Sequence, residues 1–402
     1  MPVPPLPVAV IGAGAAGTVA AIFAASSSRR VLLLERTRDG GRKILVSGGG
    51  RCNILPSALQ PQRFVTDSSP NTLKKILLSW PLAEQRRFFE EEVGIPLALE
   101  EETGKLFPVS NRARDVRDGL LRLASRRGVE TVFDSIVEDV YPSDGAWILR
   151  LQEARVIRAS AVILATGGLS LPGTGSDGTG LRIARRLGHT VHETYPALTP
   201  LTADPPRHAS LAGISLEVNL EAPLRKGRFE TRGGFLFTHR GYSGPAILDA
   251  SHLAVRSRVP LYIGWTPIGP EEWDQRLREG TGAVAAPLRR ALPDRLAETL
   301  LSEAGVDPAR PLPQLRREER RRLVDLLTRY PLPWTGDGGY QKAEVTGGGV
   351  ALSEVDPRTL ESRLHPGLFL CGEILDAFGP IGGHNFAWAW ATGRAAGLGS
   401  LQ

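Results

Sequence analysis

The sequence predicts an α/β fold: a Rossmann-like dinucleotide-binding domain, interrupted by an insertion and completed by the C-terminus. Three observations lead there. An apolar run enters Gly-x-Gly-x-x-Gly at positions 8–17, and a second apolar run ending in an acid follows. Composition shifts near Pro196, first to alternating and then to charged helical sequence. Strand and glycine signals return after Tyr340.

The opening unit reads element by element. Val8-Ala9-Val10-Ile11 is a buried strand, and Gly12-Ala13-Gly14-Ala15-Ala16-Gly17 is the tight turn into a helix rich in small residues. Gly12 permits the sharp turn, a side chain at Gly14 would meet a pyrophosphate, and Gly17 lets the helix close on its strand. Val31-Leu32-Leu33-Leu34 forms the next strand. Glu35 follows at the distance where a carboxylate accepts ribose hydroxyls, about 20 residues past the glycines.

Further along, residues 71–94 read as helical with a break near Pro81. Ser110 is the expected cap of a helix running to Arg127, with Gly128 its terminator. Strand-like runs follow at 129–133, 146–151 and 161–165, then a helix at 179–187 stopped by Gly188. Alternation over 198–265 predicts β-structure, and 270–330 reads as charged helices. The expected domains are 1–195 with 340–402 for the nucleotide, 196–268 for a β-rich insertion and 269–339 for a helical one.

Composition limits the function class. The 402 residues are 42% hydrophobic and 23% charged, as in a globular protein. The apolar start lacks the basic flank of a secretory signal, because only Met1-Pro2-Val3-Pro4-Pro5-Leu6-Pro7 precedes it. No apolar run is long enough to span a bilayer. Cys52 and Cys371 form neither a metal motif nor a redox pair, so a cytoplasmic, reducing setting is expected and a disulfide reductase is excluded. The net charge of +6 raises a nucleic-acid partner. The densest basic run, Arg316-Arg317-Glu318-Glu319-Arg320-Arg321-Arg322, has glutamates inside it. A solvated helix face with local ion pairs is therefore its plainer reading, and a phosphate-binding patch the alternative.

FAD and NAD share the opening turn, so other segments decide between them. Gly367 to Cys371 reads as a strand ending at Gly372-Glu373, where an acid would accept hydrogen bonds from ribityl hydroxyls. Gly379-Pro380-Ile381-Gly382-Gly383-His384-Asn385 then opens a helix. Its free N–H groups and positive end suit the electron-rich pyrimidine edge of a flavin. The run Gly40 to Asn53 places three successive glycines beside Arg51, Cys52 and Asn53, which lets the backbone lie against a ligand.

Gly-Arg-Lys-x5-Ser-Gly-Gly-Gly-Arg-Cys-Asn (Gly41 to Asn53), Leu-Phe-Thr-His-x-Gly-x-Ser-Gly-Pro (Leu236 to Pro245) and Thr-x-Gly-Gly-Val (Thr346 to Val350) together resemble a bacterial family. It is the FAD-dependent oxidoreductase family that includes aminoacetone oxidase and bile-acid 3-dehydro-4,6-reductase. The resemblance implies an FAD-binding domain interrupted by an inserted β-barrel-like subdomain and a small helical subdomain. It also implies that Gly12, Gly14, Glu35, Arg42, Lys43, Ser47, Gly49, Arg51, Cys52, Asn53, Thr166, Gly167, Glu373 and Asn385 line the cofactor. Ala13, Ala16, Gly17, Arg36, Val137, Gly372, Gly383 and His384 complete the candidate set. The chain has His384 where many members have Tyr, and Phe378-Gly379 where they have Asp-Gly. These departures bear on substrate more than on cofactor.

Gly173-Thr174-Gly175-Ser176-Asp177-Gly178 repeats the glycine spacing, but the preceding strand ends too early for a tight turn. A glycine loop near the flavin is expected there, and NAD(P)H would dock transiently in the substrate cleft. The expected reaction is hydride transfer between flavin N5 and a small organic substrate at the domain interface, as in enone reduction by NAD(P)H. An aminoketone or amine oxidase using oxygen is the enzymatic alternative, and an RNA-associated flavoprotein the alternative of another class. His239 and Lys342 are the candidate catalytic residues; His239 would orient a carbonyl or donate a proton, and Lys342 would place positive charge near reduced flavin.

Overall fold

The computed structural model describes residues 5–25 and 29–402; the first four residues of the uncharged N-terminal flank lie outside it. The chain divides into two compact units, residues 1–196 with 344–402, and residues 197–343.

The first unit is built on five parallel strands. Strand β1 (Val8–Ile11) leads into helix α1 (Ala15–Ala24) and then β2 (Val31–Leu34). Later come β3 (Lys105–Pro108), β4 (Val129–Val132), β5 (Ala161–Leu164) and β6 (Leu368–Leu370). The sheet runs β6-β5-β1-β2-β4, while β3 belongs to a separate antiparallel sheet with Leu55–Pro56 and Leu97–Glu100. Every residue of β1, β2, β5 and β6 is buried. Continuous Val/Ile/Leu runs are what a parallel sheet covered on both faces requires. Val8 stands opposite both Ala161 and Val31, so the glycine turn after Ile11 emerges at the C-terminal edge of the sheet's middle.

The final helix α2 (His384–Gly399) packs on α1. Small residues make the close approach possible: a Cβ at Gly393 would strike the Ala16 carbonyl oxygen, and one at Gly397 the Ala20 carbonyl oxygen. The N-terminal motif is thus held in place by the last residues of the chain.

Several sequence expectations shift in detail. The helical stretch after residue 70 is two helices, Pro70–Leu77 and Leu82–Arg87, followed by a wider turn over Phe88–Val93 that Gly94 ends at φ +80°. The helix expected to be capped by Ser110 begins at Ala113, and no side chain caps it. Its strong amphipathic burial, with Val116, Leu120 and Leu123 inside, replaces the cap as the source of stability.

The second unit centres on a seven-stranded antiparallel sheet, whose longest members are Ser215–Pro223 and Arg228–Thr238. A helix, Pro245–Ser257, lies within the stretch expected to be β-structure. Pro245 at its first position and the Ala/Leu content after it are its signals. Helices Pro270–Glu279, Ala285–Ala291, Asp294–Ala304 and Arg317–Thr328 follow. Strands and helices of this unit share one core, where Phe237 stacks on Trp265 at 5.6 Å and Trp273 is fully buried. The basic run lies on the last of these helices. Glu319 binds Arg310 at 2.6 Å and closes a capping box on Arg316, while Arg320 pairs with Asp274 at 2.8 Å. Arg317 and Arg321 are exposed.

Candidate functional site

Two clefts meet at the glycine turn of the first unit, sharing Gly14, Lys43 and Ser176 in their walls. The narrower, about 90 Å³, is lined by Gly12, Glu35, Arg36, Arg42, Val137 and Thr166, among others. The wider, about 380 Å³, is lined by Ala16, Ser47, Gly49, Asn53, Gly167, Gly372, Glu373, Gly383 and Asn385.

Gly14 precedes α1 with φ −80°, and a Cβ there would meet nothing within 4 Å. The space before the helix N-terminus is therefore open, as a phosphate group needs. Gly12, at φ +105°, lies so close to β5 that a Cβ would stand 2.6 Å from the Ala165 carbonyl oxygen. A Cβ at Gly17 would overlap the Gly12 carbonyl oxygen. The three glycines thus do three different things: space for ligand, turn and packing.

Glu35 is 6% exposed and holds the turn as well as facing the narrower cleft. Its carboxylate accepts the Ala13 N–H at 2.7 Å, the Thr37 N–H at 2.8 Å and the Thr37 hydroxyl at 2.7 Å. Sequence reading assigns it only a ribose. Removing it also strands the Ala13 N–H, so Glu35→Ala is expected to weaken FAD retention roughly 10- to 150-fold and to lower apoprotein stability by about 1–3 kcal/mol. Flavin titration and urea unfolding read the two effects; unchanged FAD affinity would remove Glu35 from the ligand contacts.

The second glycine cluster makes no nucleotide turn of its own. Thr174, Gly175, Ser176 and Asp177 instead form a wall of the narrower cleft, and Asp177 pairs with Arg36 at 2.5 Å. Burial pushes the Asp177 carboxyl up, but Arg36 and the bonds from Thr179 outweigh it and hold it below the ordinary carboxylate range.

Glu373 sits in a dense network. Lys43 Nζ donates to it at 2.6 Å, the Ser170 hydroxyl at 2.6 Å, and the Thr346 hydroxyl and N–H at 2.9 and 3.1 Å. Lys43 also reaches the Ser170 hydroxyl at 2.5 Å. The role expected for Glu373, accepting from a ribityl chain, is shared with this internal task of tying the segment after β6 to residues 43, 170 and 346. Asn385 closes the loop before α2: its amide accepts from Gly379 N at 2.9 Å and donates to Gly379 O at 3.0 Å.

Five candidate cofactor residues stand outside the cleft walls: Ala13, Gly17, Arg51, Cys52 and His384. Cys52 is fully buried at φ +60°, and burial pushes its thiol up to about 12, where it stays protonated. Arg51 turns toward Glu100 at 3.0 Å and lies 3.9 Å over the Phe107 ring. His384 is 6% exposed; burial pushes it down to about 4, and its Nδ1 lies 3.2 Å from the Ile381 carbonyl. Ala13 and Gly17 act through the turn rather than the walls. Conversely, Lys105, Phe107, Leu171 and Phe386 line the wider cleft without any motif having marked them.

The arrangement fits a flavin dinucleotide. Open space lies at a helix N-terminus and a carboxylate ends β2. Asn53 Oδ1, buried in the wall of the wider cleft, has no hydrogen-bond partner among the described residues. Among the described residues no group of His, Cys, Asp or Glu could hold a metal ion, and no helix is long and apolar enough to cross a membrane.

In the second unit, His239 is exposed at the turn between Arg228–Thr238 and Gly241–Ser243, and Lys342 is exposed near the unit's end. Neither side chain has a hydrogen bond or ion pair among the described residues.

A family model described as HI0933-like protein Rossmann domain matches residues 6–399. The chain is 33% identical over 392 residues to a ribosomal RNA dihydrouridine synthase of Escherichia coli, covering 96% of each chain. It is 32% identical over 413 residues to a 3-dehydro-bile acid delta(4,6)-reductase of Clostridium scindens, covering 98% of this chain and 99% of that one. A ribosomal RNA dihydrouridine synthase of Haemophilus influenzae is 31% identical, with 97% of each chain covered. Among solved structures, the open conformation of a flavocytochrome c3 fumarate reductase aligns with a TM-score of 0.51 at 17% identity, covering 99% of this chain and 78% of that one. A 3-ketosteroid-delta4-(5alpha)-dehydrogenase of Rhodococcus jostii aligns at 0.50 and 17%, covering 99% and 97%. At that identity the two structures share the fold.

Proposed function

Because the chain belongs to the HI0933-like Rossmann-domain family and is an FAD-dependent oxidoreductase, we propose that it saturates a carbon–carbon double bond conjugated to a carbonyl, with NAD(P)H as electron donor. The relatives' names supply the chemistry. A uridine turned to dihydrouridine and a delta(4,6) keto acid both gain two hydrogens across such a bond. Of the two substrate types we favour a uridine within ribosomal RNA. Two relatives carry that name, and the net charge of +6 suits a polyanion. A cytoplasmic setting, where RNA and reduced nicotinamide occur together, goes with this reading.

The balance is simple: NAD(P)H gives a hydride, which ends on the carbon β to the carbonyl, and a proton goes to the α carbon. Bound FAD supplies the hydride relay between the two partners. The chain's own part is to position and to protonate. The wider cleft carries this reading, because it joins the dinucleotide turn to a wall of Val46, Phe107, Leu171, Phe378 and Phe386, an apolar seat for a flat ring.

We propose His239 as the proton donor on its residue type and motif, and Lys342 as a source of positive charge for the reduced cofactor. His239→Ala is expected to lower kcat by about 10²- to 10⁴-fold with FAD content unchanged; unchanged kcat takes the proton elsewhere. The reading as a whole is tested by anaerobic mixing of the holoenzyme with NADH or NADPH, then with unmodified ribosomal RNA or a 3-oxo-4,6-diene steroid. Flavin bleaching by the nicotinamide and reoxidation by RNA, with two hydrogens gained on a uridine by mass spectrometry, is the expected result. Reoxidation by the steroid alone moves the substrate to the second class, and reoxidation by oxygen alone favours an oxidase.

A further inference from the structure

We propose that Lys105 forms an anion subsite in the wall of the wider cleft, holding a negatively charged group of the reducible substrate. This deepens the reading above and rests on it, since the double bond is taken to lie in that cleft.

Lys105 opens β3, and Phe107, two residues on, shares its face of the strand; both line the cleft. The stem of Lys105 lies over Gly382, with its Cε 3.5 Å from where a Cβ of that glycine would stand. Its head is therefore placed near the loop that opens α2. The ammonium has no hydrogen-bond or ion-pair partner among the described residues.

The nearby carboxylates already take other donors, and the Glu100 carboxyl, held below the ordinary range by its bonds from Thr103 and Arg51, also feels the Lys105 charge. Glu100, opposite Lys105 across the strand pair, takes a bond from Arg51 at 3.0 Å and from the Thr103 hydroxyl at 2.5 Å. Glu373 takes Lys43 and the Ser170 and Thr346 hydroxyls. A half-buried cation in a largely apolar wall is stabilised by an anion that reaches it. The sixteen-residue helix α2, whose N-cap Gly383 lines the same cleft, adds the positive end of its dipole. An oxyacid monoanion meets both features. It is either the phosphodiester beside a reducible uridine or the carboxylate of a small conjugated ketone.

The test uses oxidised holoenzyme and two matched pairs of probes: an oligouridylate against uridine, and a 3-oxo-4,6-diene steroid carboxylate against its methyl ester. Binding is followed by the change in flavin absorbance. Lys105→Ala is expected to weaken the charged member of one pair about tenfold or more. The neutral member, the FAD dissociation constant and the flavin spectrum stay as they were, and Lys105→Arg restores most of the loss. Loss for the oligouridylate alone identifies phosphate as the group, and loss for the steroid acid alone identifies carboxylate. Equal losses for charged and neutral members overturn the subsite. So does a changed FAD affinity or spectrum, which would make Lys105 a cofactor contact, and so does failure of both charged probes to bind the wild type. Selective binding without any reoxidation of reduced flavin keeps the subsite and defeats the proposed reduction.

Discussion

Gly14→Val produces a protein that folds and retains no FAD. The backbone at Gly14 has φ −80°, which valine adopts without strain, and its Cβ would enter open space. The apoprotein should therefore lose less than about 1 kcal/mol, the cost of a poorer helix cap. That open space is where the pyrophosphate would approach α1, and two methyl groups there exclude it. Purified variant should be colourless and stay so after incubation with excess FAD, while its circular dichroism and urea midpoint match wild-type apoprotein. A stoichiometrically yellow variant would show that the dinucleotide does not cross this turn.

Gly17→Ala has the opposite phenotype. One added methyl would overlap the Gly12 carbonyl oxygen and stand 3.0 Å from the Ala165 side chain. Neither atom can retreat easily: Gly12 belongs to the turn itself, and Ala165 follows the buried strand β5. The helix must lift from the sheet, at a cost of about 1–3 kcal/mol. That is a large share of a typical folding free energy of about 5–15 kcal/mol. Urea unfolding of apoprotein should show the drop, and FAD should recover part of it by binding only the folded state. A native urea midpoint for Gly17→Ala would show that the turn at Gly12 yields to the added methyl without cost.

The contrast between these two glycines shows what was legible in the sequence. The fingerprint, its acid and the return of the fold near residue 340 rest on local rules of turns, helix ends and buried strands, so they read directly. The partners of Glu373 did not. Lys43 lies 330 positions away, and no spacing rule joins such residues. Lys105 and Phe107 sit on a strand that carries no motif, and only its pairing with Leu55–Pro56 and Leu97–Glu100 brings them to the cleft. Cys52 enters the candidate set through the family resemblance of its glycine-rich run, yet its side chain is fully buried and outside both cleft linings. The helix Pro245–Ser257 was hidden by the alternating sequence on either side of it.

The seating of Gly393 and Gly397 on the carbonyls of Ala16 and Ala20 has a consequence for biosynthesis. Strand β1 and helix α1 leave the ribosome early, but β6 (Leu368–Leu370) and helix α2 (His384–Gly399), which covers α1, are translated far later. At about 5–20 residues per second, the unfinished half must wait until α2 has been made, with its apolar side uncovered. Nascent chains stalled before residue 368 should therefore engage chaperones, and cofactor uptake should begin only once residues 368–399 have emerged.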